Sequence, residues 1–297
     1  MITNKSEKDY HGKRLRTLQE DAAAPVSGLR ADNTITEHLP EVPGIGEKSQ
    51  DAVEPSLEKI LPRRQKNGGS ARSAQGTMKT LVVIMAHREA YTTVNWHFPL
   101  WERHAREGAD LLFVFPEGQI MPGLEYPAID VGVSEHHGPD SVLRFFTMLK
   151  RVMVMNYDRY VFMEYDSFIL GPLPDLHVDL AGNFFQDFSP TFTAWMYIHQ
   201  PWMCHKEALR KIVAEMEKMA MFAEHGHADR VLGLAVERAK FMMANWITNG
   251  YGYSQNTIYP EHYRELEIAI RRGARAIHGV KTKECLKVIL DEYALLT

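Results

Sequence analysis

The chain has 297 residues, of which 45% are hydrophobic and 24% charged, and its formal net charge is −4 at pH 7. For the chain as a whole, these proportions are typical of an ordinary globular protein and exclude a fibrous or membrane-embedded one. The small net charge, with both signs interspersed, gives no electrostatic basis for binding nucleic acid through its phosphates. The net charge does not exclude a local basic patch.

Cysteine use and apolar runs indicate the compartment. Cys204 and Cys285 lie far apart, without the spacing of a zinc or redox site, so we expect reduced thiols. Apolar runs such as LVVIMA at 81–86 fall far short of the roughly 20 residues that a bilayer requires, and the N-terminus lacks a signal-peptide core. We therefore expect a cytoplasmic protein without a transmembrane segment, either free or peripheral to a membrane.

Residues 1–77 differ in composition from the rest. They contain one aromatic residue of the Phe, Tyr and Trp type, Tyr10, and end in the linker-like run KNGGSARSAQGT. Such a segment cannot bury enough apolar surface to offset the entropy lost on ordering. We predict a disordered N-terminal extension at 1–77 and a single domain at 78–297, since no internal repeat is visible.

From residue 78 onward, apolar strand patterns alternate with amphipathic helix patterns. KTLVVIMAH is a short continuous apolar run, typical of a parallel strand covered on both faces. The elements that follow are a helix near 93–108, a strand within 110–118, a helix after Pro139 and a strand at 160–163. This order predicts an α/β fold with a mainly parallel sheet, whose ligand site lies beyond the carboxyl ends of the strands.

The later part of the chain is more helical. Helices are predicted at 204–226 with Gly226 as C-cap, at 228–246, at 261–272 and at 284–295. A loop at 249–259, rich in Gly, Tyr and Asn, is a candidate substrate-facing segment. The aromatic stretch at 191–209 forms either an acceptor groove or part of the core.

Two carboxylates, Glu164 and Asp166, follow the strand at 160–163. Positions i and i+2 of a strand point the same way, so we expect the two to share a face and Tyr165 to point to the other. Mg²⁺ and Mn²⁺ commonly use one or two protein carboxylates together with substrate phosphate oxygens. The alternative is a common tripeptide that caps a strand end with solvated ion pairs; the strand before it and the turn-forming SFILGPLPDL after it favour a metal site.

The stretch YDRYVFMEYDSFILGPLPDL, preceded by LVVIMAHREA and followed later by IHGVK, resembles the nucleotide-diphosphosugar glycosyltransferases of the GT-A fold. In that family an acidic D-x-D motif follows a central strand, and its last carboxylate binds the metal. The resemblance therefore assigns Mn²⁺ or Mg²⁺ to Asp166 and places Glu164 near the ribose or the metal. Glu in the first motif position departs from the family pattern by one methylene.

The same resemblance suggests roles for residues near the C-terminus. A late His often completes the metal shell, followed by Gly and a Lys that reaches the diphosphate. HGVK offers His278 as metal ligand and Lys281 as the diphosphate-binding residue, with Lys283 as a second candidate. The alternative for His278 is a surface residue at a strand end.

Two further residues follow the first strands, where members of this fold contact the nucleotide. The guanidinium of Arg88 would bind a phosphate or a sugar hydroxyl, unless it pairs with Glu89 or Glu102 at the start of a helix. Glu117 would meet the base or ribose, although turn chemistry alone explains the flanking Pro and Gly.

A general base for the acceptor hydroxyl has two candidates. Asp229 stands at a predicted helix start, where inverting members keep their acidic base, although an acid there also favours the helix dipole. Asp187 follows a strand-like run in the region where the donor sugar is commonly held. A retaining reaction can use the departing diphosphate oxygen instead, so the stereochemistry stays open.

Together these features predict a metal-dependent glycosyltransferase that uses a UDP- or GDP-sugar donor and an acceptor the sequence leaves unassigned. One alternative is a sugar-nucleotide nucleotidyltransferase, whose usual Gly-rich first loop is missing from MAHREAYTT. The other is a non-catalytic nucleotide-sugar-binding protein of the same fold.

Overall fold

The computed structural model describes residues 78–131, 139–187, 195–219 and 228–296, without the side chains of 139, 140, 186, 187 and 195. The predicted extension at 1–77 and the predicted cap Gly226 lie outside these ranges. Within them, no helix is both long enough and apolar enough to cross a membrane.

The described residues contain ten strands in two sheets. The strands are β1 Thr80–Met85, β2 Asp110–Phe115, β3 Ala128–Asp130, β4 Arg159–Glu164, β5 Ser167–Ile169, β6 Leu180–Asp187, β7 Trp195–His205, β8 Met243–Asn245, β9 Gly252–Ser254 and β10 Ala276–His278. The larger sheet has the order β3-β2-β1-β4-β7-β6-β8, in which β7 alone among the described strands runs antiparallel to its neighbours. The prediction of an α/β fold with a mainly parallel sheet is confirmed.

Six α-helices within the described ranges cover the two faces of this sheet. They are α1 Tyr91–Arg106, α2 Pro139–Met153, α3 Lys206–Lys218, α4 Ala228–Ala239, α5 Tyr263–Arg271 and α6 Lys283–Ala294. Leu81 and Val83 of β1 pack with α2, α3 and α4, whereas Val82 and Ile84 pack with α1, α5 and α6. Because successive residues of a strand point to opposite faces, the continuous apolar run of β1 supplies both cores at once.

The smaller sheet has the order β5-β10-β9. Its strand β5 follows β4 directly in the chain. Its central strand, β10, is antiparallel to β5 and parallel to β9. The register pairs His278 with Ser167 on one side and with Ser254 on the other. Three segments that are distant in sequence are thereby brought next to one another.

Two predicted helices were too long. The helix predicted at 204–226 begins at Lys206, after β7, and ends at Lys218. The helix predicted at 228–246 ends at Ala239, and Lys240 has a φ of 53°, in the left-handed region that interrupts a helix. The residues that follow form β8, which pairs with β6 from Leu180 to Gly182. Pairing with a distant strand overrides the local helical pattern in this segment.

The aromatic stretch at 191–209 contributes β7. Trp202 is 0% exposed and stacks on Phe162 of β4 at 4.1 Å between ring centroids. The two alternatives for this stretch were an acceptor groove and the core, and Trp202 belongs to the core. Its ring holds β7 against the centre of the sheet.

The buried imidazole of His104 in α1 predicts a loss of stability in acid. The side chain is 0% exposed, and burial, opposed by the nearby Glu107 carboxylate, lowers its pKa from 6.5 to about 4. The unfolded chain gains this proton near pH 6.5 and the folded protein only near pH 4, so the stability present above pH 6.5 is lost as the pH falls to 4. We expect a loss of about 2 kcal/mol between pH 7 and pH 5 from this group.

Replacement His104→Leu should remove that part of the pH dependence, measured as the free energy of urea unfolding at both pH values. His177→Leu, at an exposed position, is the control. Burial also lowers the pKa of His97, which adds a loss in the same direction, so the slope should shrink rather than vanish. An unchanged slope in His104→Leu would contradict the prediction.

Candidate functional site

A cavity of about 590 Å³ lies at the carboxyl ends of β1, β2 and β4. Its walls include Met85, Phe115 and Glu164, the last residues of β1, β2 and β4. Helices α2 and α4 contribute Arg144 and Asp229. Its size is within the range of roughly 300–1,000 Å³ that is common for small-molecule sites. The location is the one that an open parallel sheet favours for ligands.

A tight turn places the two predicted carboxylates at this cavity. Strand β4 ends at Glu164, Tyr165 and Asp166 form the turn, and β5 begins at Ser167. The Ser167 hydroxyl accepts a hydrogen bond from the backbone N–H of Glu164 at 2.8 Å, and the N–H of Tyr165 donates to the carbonyl of Met85 at 2.9 Å. The prediction that Glu164 and Asp166 share one face while Tyr165 points to the other was wrong for Tyr165, because the turn lets its side chain line the same cavity.

The segment after β10 completes the group of polar side chains. The N–H groups of Gly279 and Val280 donate to the backbone carbonyl of Asp166 at 3.1 and 2.9 Å. Nε2 of His278 then lies 3.5 Å from Oε2 of Glu164 and 3.7 Å from Oδ1 of Asp166. Nζ of Lys281 lies 3.6 Å from Oδ2 of Asp166.

The charges of this group perturb one another. Burial raises the pKa of Glu164, pairing with His278 opposes that rise, and the Asp166 carboxylate adds to it. Burial by itself would lower the pKa of His278, but the carboxylates of Asp166 and Glu164 outweigh it and hold that pKa above its usual value. Two acids and one imidazole in such proximity favour the binding of a cation.

The residues fit a divalent metal ion. One ligand atom from each of Glu164, Asp166 and His278 lies within 4.8 Å of the others. Asp166 is 2% exposed, and its Oδ1 is buried without a hydrogen-bond partner. Such an oxygen is costly to leave unsatisfied, and a cation would satisfy it. Two carboxylates and an imidazole suit Mg²⁺ or Mn²⁺.

On another wall of the cavity, Asp229 in the first turn of α4 pairs with His199 of β7. The distance from Oδ2 of Asp229 to Nε2 of His199 is 3.5 Å. Burial, reinforced by the neighbouring His278, lowers the pKa of His199 to about 4, which leaves its imidazole neutral at pH 7. The Asp229 carboxylate also contributes to the raised pKa of Glu164, so it lies within electrostatic reach of the group formed by Glu164, Asp166 and His278.

The other predicted site residues are placed elsewhere. The guanidinium of Arg88 donates to the carbonyl of Gly118 at 3.1 Å, a contact between the loops that follow β1 and β2. In the described part of the chain, Arg88, Glu117 and Lys283 are not among the residues that line the cavity. Asp187 ends β6, and its side chain lies outside what the structure describes.

Sequence reasoning missed Arg144, His199 and Ser254. Ser141, Arg144 and Met148 of α2 recur at a spacing of three and four residues and line the cavity together, which was the available signal for Arg144. Burial lowers the pKa of Arg144, opposed by the Glu164 carboxylate. No sequence pattern distinguished His199 or Ser254, because their positions depend on sheet register.

Comparisons with known proteins give little at the sequence level. No protein-family model and no curated protein matches the chain. One similar solved structure is the apo form of WbbM, described as a bifunctional glycosyltransferase, at 12% identity and a TM-score of 0.44. The match covers 75% of this chain and 51% of that one, so the chain spans about half the length of WbbM. The site is therefore interpreted from its own residues.

The backbone conformation of two glycines, Gly279 and Gly273, predicts how much stability each would lose on replacement by alanine. Gly279 has a φ of +93°, and an added Cβ would lie 2.1 Å from the carbonyl oxygen of Gln255. Gly273 has a φ of +115°, with no atom within 4 Å of such a Cβ. We expect Gly273→Ala to lower the unfolding free energy by about 1–2 kcal/mol, from backbone strain alone.

Gly279→Ala should lose roughly 2–4 kcal/mol, because the clash adds to the same strain. The comparison is made by urea unfolding of both variants. Equal losses in the two would show that the close approach of Gly279 to Gln255 is unimportant.

Proposed function

We propose that the protein is a metal-dependent glycosyltransferase of the GT-A fold, which moves a sugar from a nucleotide-diphosphosugar to an acceptor hydroxyl. The observation that carries this proposal is the meeting of Glu164, Asp166, His278 and Lys281 at one end of the parallel sheet. The two carboxylates and the imidazole are suitable ligands for a cation. The cation and the nearby ammonium group would together attract a diphosphate. The cavity provides room for the rest of the donor.

The metal would be held by Asp166 and His278, with Glu164 as a further ligand or as a partner of the ribose. Bound there, Mn²⁺ or Mg²⁺ would neutralise the charge that develops on the departing nucleoside diphosphate. The chain's own contribution is to hold the two carboxylates and the imidazole close together. The backbone bonds from Gly279 and Val280 to Asp166 fix that arrangement.

In this proposal Lys281 binds the diphosphate. Its side chain is 38% exposed, so its ammonium is reachable from the cavity, while Asp166 holds it beside the cation site. A positive charge at this position stabilises the leaving group as the bond to the sugar breaks. Lys283 and Arg88, which lie outside the cavity lining, are given no part in this step.

Asp229 is proposed as the general base. It lines the same cavity as the metal-ligating group, and His199 lies within 3.5 Å of its carboxylate. In this role Asp229 removes the proton of the acceptor hydroxyl as the new bond to the anomeric carbon forms and the bond to the diphosphate oxygen breaks. The proposed reaction therefore inverts the anomeric configuration.

The test is a calorimetric titration of UDP, GDP, ADP and CDP, each in Mn²⁺, Mg²⁺ or EDTA. The proposal requires one nucleotide, expected to be UDP or GDP, to bind only with the cation. The corresponding sugar nucleotides are then assayed for release of free sugar or transfer to simple glycoside acceptors.

The outcomes separate the proposal from its rivals. Cation-dependent nucleotide binding without turnover of any sugar nucleotide would favour a binding protein. Exchange of pyrophosphate into a sugar nucleotide would favour a nucleotidyltransferase. Failure of all the nucleotides to bind under every condition would remove the proposal.

A further inference from the structure

A continuous row of side chains joins the metal-ligating group to the proposed base. Nδ1 of His278 lies 3.0 Å from the Ser254 hydroxyl oxygen, which lies 3.4 Å from Nδ1 of His199. Nε2 of His199 then lies 3.5 Å from Oδ2 of Asp229. The row crosses four elements, β10, β9, β7 and α4, and Ser254, at 8% exposed, is buried at its centre.

The chemistry of each group fixes the direction of these hydrogen bonds once a cation is present. An imidazole that ligates a metal through Nε2 carries its proton on Nδ1, so His278 donates to the Ser254 oxygen. The Ser254 hydroxyl has one proton of its own, which it can then donate to Nδ1 of His199. A neutral His199 that accepts at Nδ1 carries its proton on Nε2, where it faces the Asp229 carboxylate.

The reverse order has a different result. If the Ser254 hydroxyl donated to Nδ1 of His278, the Ser254 oxygen would accept from Nδ1–H of His199. Nε2 of His199 would then present a lone pair to the Asp229 carboxylate, and the two would repel. A proton on Nε2 of His278 would also occupy the position of the metal.

We propose that Ser254 and His199 are positioning residues that couple cation binding to the base: a metal at His278 selects the His199 tautomer that donates to Asp229. This inference rests on the proposed function, because it takes Asp166 and His278 as metal ligands and Asp229 as the base. When the metal is bound, the hydrogen bond from Nε2–H of His199 orients the Asp229 carboxylate. The coupling also makes Ser254, which is not among the residues that line the cavity, a determinant of cation affinity.

The first test reads the tautomers directly. The protein is labelled with ¹⁵N-histidine, and long-range proton–nitrogen spectra are recorded with and without Mg²⁺, a diamagnetic cation. Spectra of His199→Gln and His278→Gln identify the two rings by the signals that disappear. With Mg²⁺ bound, His278 should carry its proton on Nδ1 and His199 on Nε2.

The second test measures affinity for Mn²⁺ by calorimetry, without nucleotide. Ser254→Ala should weaken binding by about 10-fold or more, because outer partners of metal-ligating histidines typically contribute 10- to 100-fold. Ser254→Thr keeps the hydroxyl and should restore most of the affinity. Thr248→Ala removes an exposed hydroxyl elsewhere in the chain and serves as the control.

The results distinguish this inference from the proposed function. A proton on Nδ1 of His199 in the Mg²⁺-loaded protein would overturn the coupling, as would wild-type Mn²⁺ affinity in Ser254→Ala or the absence of cation binding. Cation binding with the expected tautomers, but no affinity for any nucleotide, would remove the proposed function and leave the coupling intact.

Discussion

Replacement Asp166→Asn should abolish the cation dependence of nucleotide binding and lower sugar transfer roughly 1,000-fold or more, the equivalent of several kcal/mol of lost charge stabilisation. The change removes the negative charge while keeping the shape of the side chain. The backbone carbonyl of Asp166, which accepts from Gly279 and Val280, is untouched. The metal-free variant loses a repulsion with Glu164 and also the attractions to His278 and Lys281, so its stability is measured separately from its binding.

The measurement is the same titration of nucleotide with Mn²⁺ and with EDTA, together with urea unfolding of the metal-free proteins. Asp291→Asn makes the same change of charge on an exposed side chain of α6 and is the matched control. Mn²⁺-dependent binding that survived in Asp166→Asn would show that the Asp166 carboxylate is not needed to hold the cation.

Replacement Asp229→Asn should lower the rate of transfer by about 10²–10⁴-fold, the usual contribution of a general base. Asparagine keeps the shape of the side chain but cannot accept the proton of the acceptor hydroxyl. At a saturating concentration of cation, affinity for the nucleotide should stay at the wild-type level, because Asp229 is proposed as a ligand of neither. The affinity for the cation itself should fall, because Asp229 is coupled to His278 through His199 and Ser254. The readout is therefore a fall in kcat without a change in donor binding.

Glu237→Gln, at an exposed position of the same helix, is the control for this change. The anomeric configuration of the product, followed by NMR, should be inverted. A product of retained configuration, or full activity in Asp229→Asn, would exclude Asp229 as the base. The remaining candidates for the base would then be Asp187 and the diphosphate oxygen.

The larger sheet could be predicted from the sequence to a useful degree. Strands β1, β2 and β4 are covered on both faces, so their buried positions form unbroken apolar runs. The acidic pair at the end of β4 could be found for the same reason, because polar residues directly after a buried strand mark the edge of the sheet. The turn at Asp166 could not be found, since it depends on the pairing of β5 with β10.

The smaller sheet and the residues that it positions were harder to predict. Strands β5, β9 and β10 have three residues each, too few for a periodic pattern to distinguish a strand from a loop. Ser254 faces His278 only because β9 and β10 pair in one register. Local sequence does not specify such a register.

The arrangement of β10 between β5 and β9 also implies an order of assembly. A growing chain that has not yet reached β10 already contains Glu164 and Asp166, but neither the imidazole of His278 nor the ammonium of Lys281. In such an intermediate the two neighbouring acids lack both of these partners. Formation of β10 and of the segment after it supplies both cationic partners, so the proposed metal site is complete only once this late part of the chain has been made.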